Sequence, residues 1–158
     1  MSAQTTPVPA FEVIASSGQT EVLIPGQGWR RAVVGRLIPA GSIVTTWVDA
    51  DATIGVSGVE VQISPLTHLT IQTNDQLVET VLETGGLVVR VDRIHPARIV
   101  VVMPAQEYRI EASNAQFAID RRAIVVSQGE VRVSRSRSPE VVLEAPATYS
   151  LLLHSPRR

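Results

Sequence analysis

The chain has 158 residues, of which 44% are hydrophobic and 18% charged, with a net charge of −1 and no cysteine. A chain of this size buries roughly two-thirds of its unfolded surface and can hold a core without staples, so composition excludes a disordered tail. The missing cysteines exclude disulfides and thiol chemistry, and no stretch approaches the ~20 consecutive apolar residues of a membrane helix, so insertion into a membrane is not expected.

Residues 1–10 form a polar, proline-containing leader that is expected to be poorly ordered. Met1-Ser2 ahead of Ala3-Gln4 is expected to mark an exported protein whose signal peptide is already removed, with a cytoplasmic location left open. From Phe11 to Leu153 the chain reads as a single β domain in which short strands arrive roughly every 8 to 12 residues, with residues 154–158 as a tail. Val59–Ile63, Leu69–Thr73 and Tyr108–Ala112 alternate apolar with polar side chains, the pattern of strands with one wet face. Turns are marked by Gly26-Gln27-Gly28, Ala40-Gly41, Ser57-Gly58, Asn74-Asp75, Gly85-Gly86 and Gln128-Gly129. Leu77, Val78, Val81 and Leu82 lie at helical spacing between a capping Asp75 and a stopping Gly85. Thr80 and Val81 are poor helix formers, so this segment reads as a strand or a single helical turn.

Two stretches echo each other. Gly86-Leu87-Val88-Val89-Arg90-Val91 returns as Gly129-Glu130-Val131-Arg132-Val133-Ser134, and Ile99 to Ala105 with Tyr108 returns as Val141 to Ala147 with Tyr149. A unit of that length cannot bury its apolar face alone, so the echo predicts an all-β, elongated, β-helix-like stack of short strands with an internal repeat. A jelly-roll sandwich is the alternative. Gly86 and Gly129 are expected to occupy equivalent turns with backbone angles closed to residues bearing a Cβ.

No catalytic constellation emerges. His68, His95 and His154 are 27 and 59 residues apart, without a second ligand on the same strand face, so no metal or other cofactor is expected. Ser57 in Gly55-Val56-Ser57-Gly58 sits between strands rather than on a strand-to-helix elbow, which reads as a turn serine. Asp49 and Asp51 read as a solvated strand end. All 14 basic residues are arginine, and charge is split: residues 1–89 hold 3 Arg against 8 acids, residues 90–158 hold 11 against 7. Arg132, Arg135 and Arg137 form the strongest basic run. With 4% aromatics and near-zero net charge, that run predicts a solvated hairpin rather than a nucleic-acid surface.

The order of turns and strands resembles the FecR domain, a periplasmic or exported β-rich module. The resemblance rests on Gly18 to Val22, Val34 to Leu37, Ala40 to Thr46, Ser57-Gly58, Ile63 to Leu69, Leu82 to Val91, Phe117 to Ile119 and Val125 to Val133, spread across residues 11–153. Asn114-Ala115-Gln116 stands where the family has Gly-Thr, and Ser57-Gly58 where it has Asp-Gly. The regulators' anti-sigma segment, membrane helix and signalling subdomain have no counterpart, so transmembrane signalling is not implied. What the resemblance implies is a non-enzymatic, periplasmic or extracellular module that contacts another protein. The alternatives are a self-assembling structural subunit joined through terminal strands and a glycan-binding module on Trp29 and Trp47; for strand addition to a partner or to another copy the expected contact residues are Phe11, Val13, Tyr149, Leu151, Leu152 and Leu153.

Overall fold

A computed structural model describes residues 10–56, 58–74, 77–92 and 98–151. The class is all-β, as the alternation predicts. In chain order the strands are β1 (Phe11–Ser17), β2 (Thr20–Ile24), β3 (Gly28–Arg31), β4 (Leu37–Ile38) and β5 (Ile43–Thr46). β6 (Asp51–Val56), β7 (Val59–Ile63), β8 (His68–Asn74), β9 (Leu77–Thr84) and β10 (Leu87–Val91) follow. After β11 (Arg98–Met103) one 3₁₀ turn at Pro104–Gln106 leads to β12 (Tyr108–Ile119), β13 (Ala123–Arg135), β14 (Ser138–Glu144) and β15 (Ala147–Ser150). Leu77–Thr84 is a strand: Val78, Thr80 and Leu82 point inward and their neighbours outward, a period of two that the helical spacing had masked.

The fifteen strands among the described residues belong to one hydrogen-bonded sheet, with the order β3-β2-β5-β8-β9-β11-β12-β10-β7-β6-β1-β4 along its main path. Every ladder among the described residues is antiparallel except β9 with β11. Successive coils of a β-helix would instead stack parallel strands, so the coil-like stacking expected from the echo has no counterpart in this pairing.

The long hairpin β12–β13 divides the sheet into two halves. The first part of β12 pairs with β11 and its last part with β10, both along one edge. On the far side, β13 pairs through its last residues with β14 and through its first with β15. Between the two regimes the register shifts around Asn114, opposite Gly129, at φ values of 51° and 75°. Gly129 is required there, because an added Cβ would lie 2.9 Å from the Ala115 Cα and closer still to the Asn114 carbonyl oxygen.

The inner faces of both halves feed one core. Phe11, Ile54, Val61, Val89 and Phe117 from one half join Val44, Leu69, Leu82, Val101 and Ile110 from the other in a single buried cluster. The chain passes from half to half repeatedly: β1 lies in one, β2 and β3 in the other, β4 in the first again. Three of these crossings are stitched by buried threonines. Thr46 Oγ1 donates to Ser64 O at 2.6 Å and accepts from Thr67 N–H at 2.9 Å, while Thr67 Oγ1 accepts from Gly86 N–H at 3.1 Å. Satisfied in this way, two hydroxyls enter the core without the cost of an unpaired polar group.

The echoed segments are only partly equivalent. Ile99, Val101 and Met103 point inward, as do Val141 and Leu143 at the matching positions. In the first segment the phase slips: Leu87, Val89 and Val91 are buried, but they align with Glu130, Arg132 and Ser134, while Val131 and Val133 carry the buried face. A one-residue slip exchanges the two faces of a strand. Gly86 also departs from expectation. The positive φ, 92°, belongs to Gly85, and Gly86 is demanded by close approach, since its Cβ would lie 3.0 Å from Ile119 O.

Candidate interaction surface

The residues between β2 and β6 build an exposed rim. Ile24-Pro25-Gly26-Gln27 closes a tight turn through Gln27 N–H to Ile24 O at 2.9 Å, which returns the chain as β3 alongside β2, with Leu23 opposite Trp29 and Glu21 opposite Arg31. β3 ends the path of the sheet, and all four of its residues are exposed. Beyond it Ala32 N–H donates to Thr20 O, and Gly35 N–H donates to Val13 O at 2.8 Å, so residues 32–35 bridge from β2 to β1. Trp47 N–H donates to Gln19 O, beside the Thr20 carbonyl that receives Ala32. The loop 32–35 and the turn Trp47-Val48-Asp49 thus flank the start of β2 from its two edges.

Residues 29–48 carry six of the ten large apolar side chains exposed among the described residues: Trp29, Val33, Val34, Trp47 and Val48 around β2, β3 and β5, and Leu37 on β4, each 48% to 66% accessible. A concentration of that kind in one stretch differs from the singly scattered apolar residues of an ordinary surface. The rim is also basic at its edge. Arg30 and Arg31 are in none of the ion pairs among the described residues, and Glu21, across the ladder from Arg31, accepts from Gln19 Nε2 at 2.9 Å.

Trp29 and Trp47 are both on this rim but do not pair. Their backbone anchors on β2, Leu23 and Gln19, are four residues apart, about 13 Å at the rise of a strand. The ring pair among the described residues is elsewhere: Tyr108 and Tyr149, the tyrosines of the two echoed segments, meet edge to face with centroids 6.3 Å apart. The Arg135 guanidinium lies 5.2 Å from the Tyr108 ring centre. Burial pushes the Tyr108 phenol above its ordinary value of 10.0, the Tyr149 phenol beside it adds to the shift, and Arg135 opposes it.

The terminal contact residues expected from the sequence are placed differently. Phe11, Val13 and Leu151 are core residues, 0%, 1% and 0% accessible, because β1 pairs with both β6 and β4 and Leu151 N–H donates to Arg122 O. The first strand is thus no arm free to swing onto a neighbour, and those three side chains offer nothing to a partner. Tyr149 is half-buried, and Leu152 and Leu153 lie outside the described residues. So do Ser57, His95 and His154. His68 faces Thr45 Oγ1 at 3.2 Å, and Asp51 accepts from Ser17 Oγ at 2.8 Å. No group of three potential metal ligands exists among the described residues. In the basic run, Arg132 lies 3.7 Å from Glu130 and 3.8 Å from Glu140, Arg135 covers Tyr108, and Arg137 forms the β13–β14 turn.

Sequence reading missed Val33, Val34, Leu37 and Val48. Val33-Val34 and Trp47-Val48 are consecutive apolar pairs, but so are Leu37-Ile38 and Ile43-Val44, whose Ile38 and Val44 are buried, so residue type alone does not mark the exposed members. Comparison with protein-family models, curated proteins and solved structures finds no match. No helix among the described residues is long and apolar enough to cross a membrane.

Proposed function

We propose that this chain is a non-enzymatic, exported protein-interaction module of the FecR-like kind, and that it meets its partner through the rim between β2 and β6. The observation carrying this reading is the concentration of exposed tryptophan, valine and leucine on residues 29–48, bounded by Arg30, Arg31 and Arg36. Aromatic and arginine side chains over a firmly anchored backbone are the composition that interface centres favour. The FecR resemblance supports the periplasmic or extracellular setting.

A photo-reactive residue at position 48 is expected to capture one defined protein, which then binds the purified chain, while the same group at the exposed Val125 captures none. Equal capture at both positions, or undiminished binding by a chain carrying Trp29→Ala and Trp47→Ala, overturns the reading. Tryptophan quenching by a polysaccharide in place of protein capture would favour the glycan module, to which the two exposed indoles are also suited.

A further inference from the structure

We propose that copies of this chain join head to tail, β3 of one copy pairing with β14 of the next, so that one half of the sheet continues from molecule to molecule. This rests on the reading of the rim as a docking surface and names its partner as a second copy. β3 and β14 are the two outermost strands of the same half: among the described residues β3 pairs with β2, and β14 with β13.

Both strands present backbone groups outward at matching positions. Ala32 N–H is turned to β2, so the period of two turns Arg30 inward and leaves the N–H and C=O of Trp29 and Arg31 pointing off the edge. Ala145 N–H is turned to β13, where it meets Gly129 O at 2.9 Å, so Val142 and Glu144 point off the other edge, and Glu140, beside the register shift that ends the ladder, carries its carboxylate on the same outer face as Arg132. The side chains of both sets stand on the outer face. Trp29 follows a ladder through Leu23, Ile43, Thr70, Val81 and Val102 to Arg109; Val142 follows one through Arg132 to Glu111, two residues from Arg109 on β12.

An antiparallel register that sets Trp29 opposite Val142 of the next copy also sets Arg31 opposite Glu140. One apolar and one opposite-charge pair then face each other across the joint. Glu140 has only a loose, exposed contact with Arg132 at 3.8 Å, so it remains available. The charges also choose between partners. Two β3 edges would bring arginines together and two β14 edges would bring glutamates together, whereas β3 against β14 joins unlike charges. Each edge therefore repels its own kind, as edge strands guarded by charge do, and accepts the other. Such a heterologous joint leaves a free β3 and a free β14 at the ends, and growth continues unless the rotation closes a ring.

Sedimentation of the full chain across a range of concentrations, and of salt, tests this. An open series of species that shrinks as salt is raised is expected. Arg31→Glu or Glu140→Arg alone should weaken association about tenfold, with an unchanged circular dichroism spectrum, and the two together should recover it to within about threefold. A wild-type monomer at every concentration, a series that stops at a dimer, or a double variant that fails to recover overturns the proposal. If the monomer nevertheless yields a different protein to the photo-reactive group at position 48, the rim stands as an interface and only its self-pairing falls; if it yields none, both fall.

Discussion

Thr46 and Trp47 are consecutive residues in opposite environments. Thr46 is buried and ties two crossings of the chain together through its hydroxyl, while Trp47, far more apolar, is half in water on the rim. The same contrast holds on a larger scale. The stitched region places the Thr46 and Thr67 hydroxyls inside, each with hydrogen-bond partners on the backbone of Ser64, Thr67 or Gly86. The rim from Trp29 to Val48 leaves valine and tryptophan outside, while Ile38 and Val44 of the same stretch pack into the core and backbone hydrogen bonds hold the segments between. Burial in this protein follows side-chain hydropathy in the main, with Thr46 and Thr67 admitted to the core by their hydrogen bonds, and the apolar residues of the rim are the exceptions on the outside.

The contrast is broken most severely at Gly85. Its φ of 92° is closed to alanine, and an added Cβ would lie 2.5 Å from the Thr67 Cα, so Gly85→Ala is expected to destabilise the fold by about 3 kcal/mol or more, read as the loss in a denaturant titration. A loss below about 0.5 kcal/mol would show that the crossing is not held tightly. Thr67→Val keeps the shape but leaves Gly86 N–H without its acceptor, and a loss of about 1–3 kcal/mol is expected. A neutral substitution here would remove the stitch as a source of stability.

Tyr108 extends the buried side of the comparison to alkaline pH. Its folded-state phenol holds its proton more tightly than the unfolded one, so the associated stability is fully present below about pH 10 and is lost as pH rises through the raised folded value. The melting temperature should fall above about pH 10, and less steeply in Tyr108→Phe. An identical fall in both chains would assign the alkaline loss to other groups. On the rim the expected effect is smallest. Trp29→Ala with Trp47→Ala should change stability by no more than about 0.5 kcal/mol, since neither ring contributes to the core. A larger loss would mean that the rim supports the fold rather than a partner.

The all-β class was legible because alternation at a period of two is a local property. Val59–Ile63 and Tyr108–Ala112 carry it within five residues each, and the structure buries the positions it selects. The turn at Gly26-Gln27-Gly28 was legible for the same reason. The echo between residues 86–108 and 129–149 was visible too, and the structure brings its two tyrosines into contact, yet Gly86 and Gly129 serve different ends and the first segments face opposite ways. Similar letters do not fix which face of a strand is inward; the neighbouring strand does.

The rim was half legible. Trp29 and Trp47 could be singled out by residue type, but nothing local distinguishes the exposed Val34 or Val48 from the buried Val44. Phe11, Val13 and Leu151, taken from the sequence as terminal contacts, are core because pairings with Leu37–Ile38, Asp51–Gly55 and Arg122 close over them. What the sequence determined by itself was therefore the all-β class, the wet and dry faces of the clearly alternating strands such as Val59–Ile63 and Tyr108–Ala112, and most of the turns, each set by interactions within a few residues. Which strands lie at the edges, which threonines enter the core and which apolar side chains stay exposed were decided only by the tertiary structure, because each depends on backbone hydrogen bonds between segments far apart in the chain.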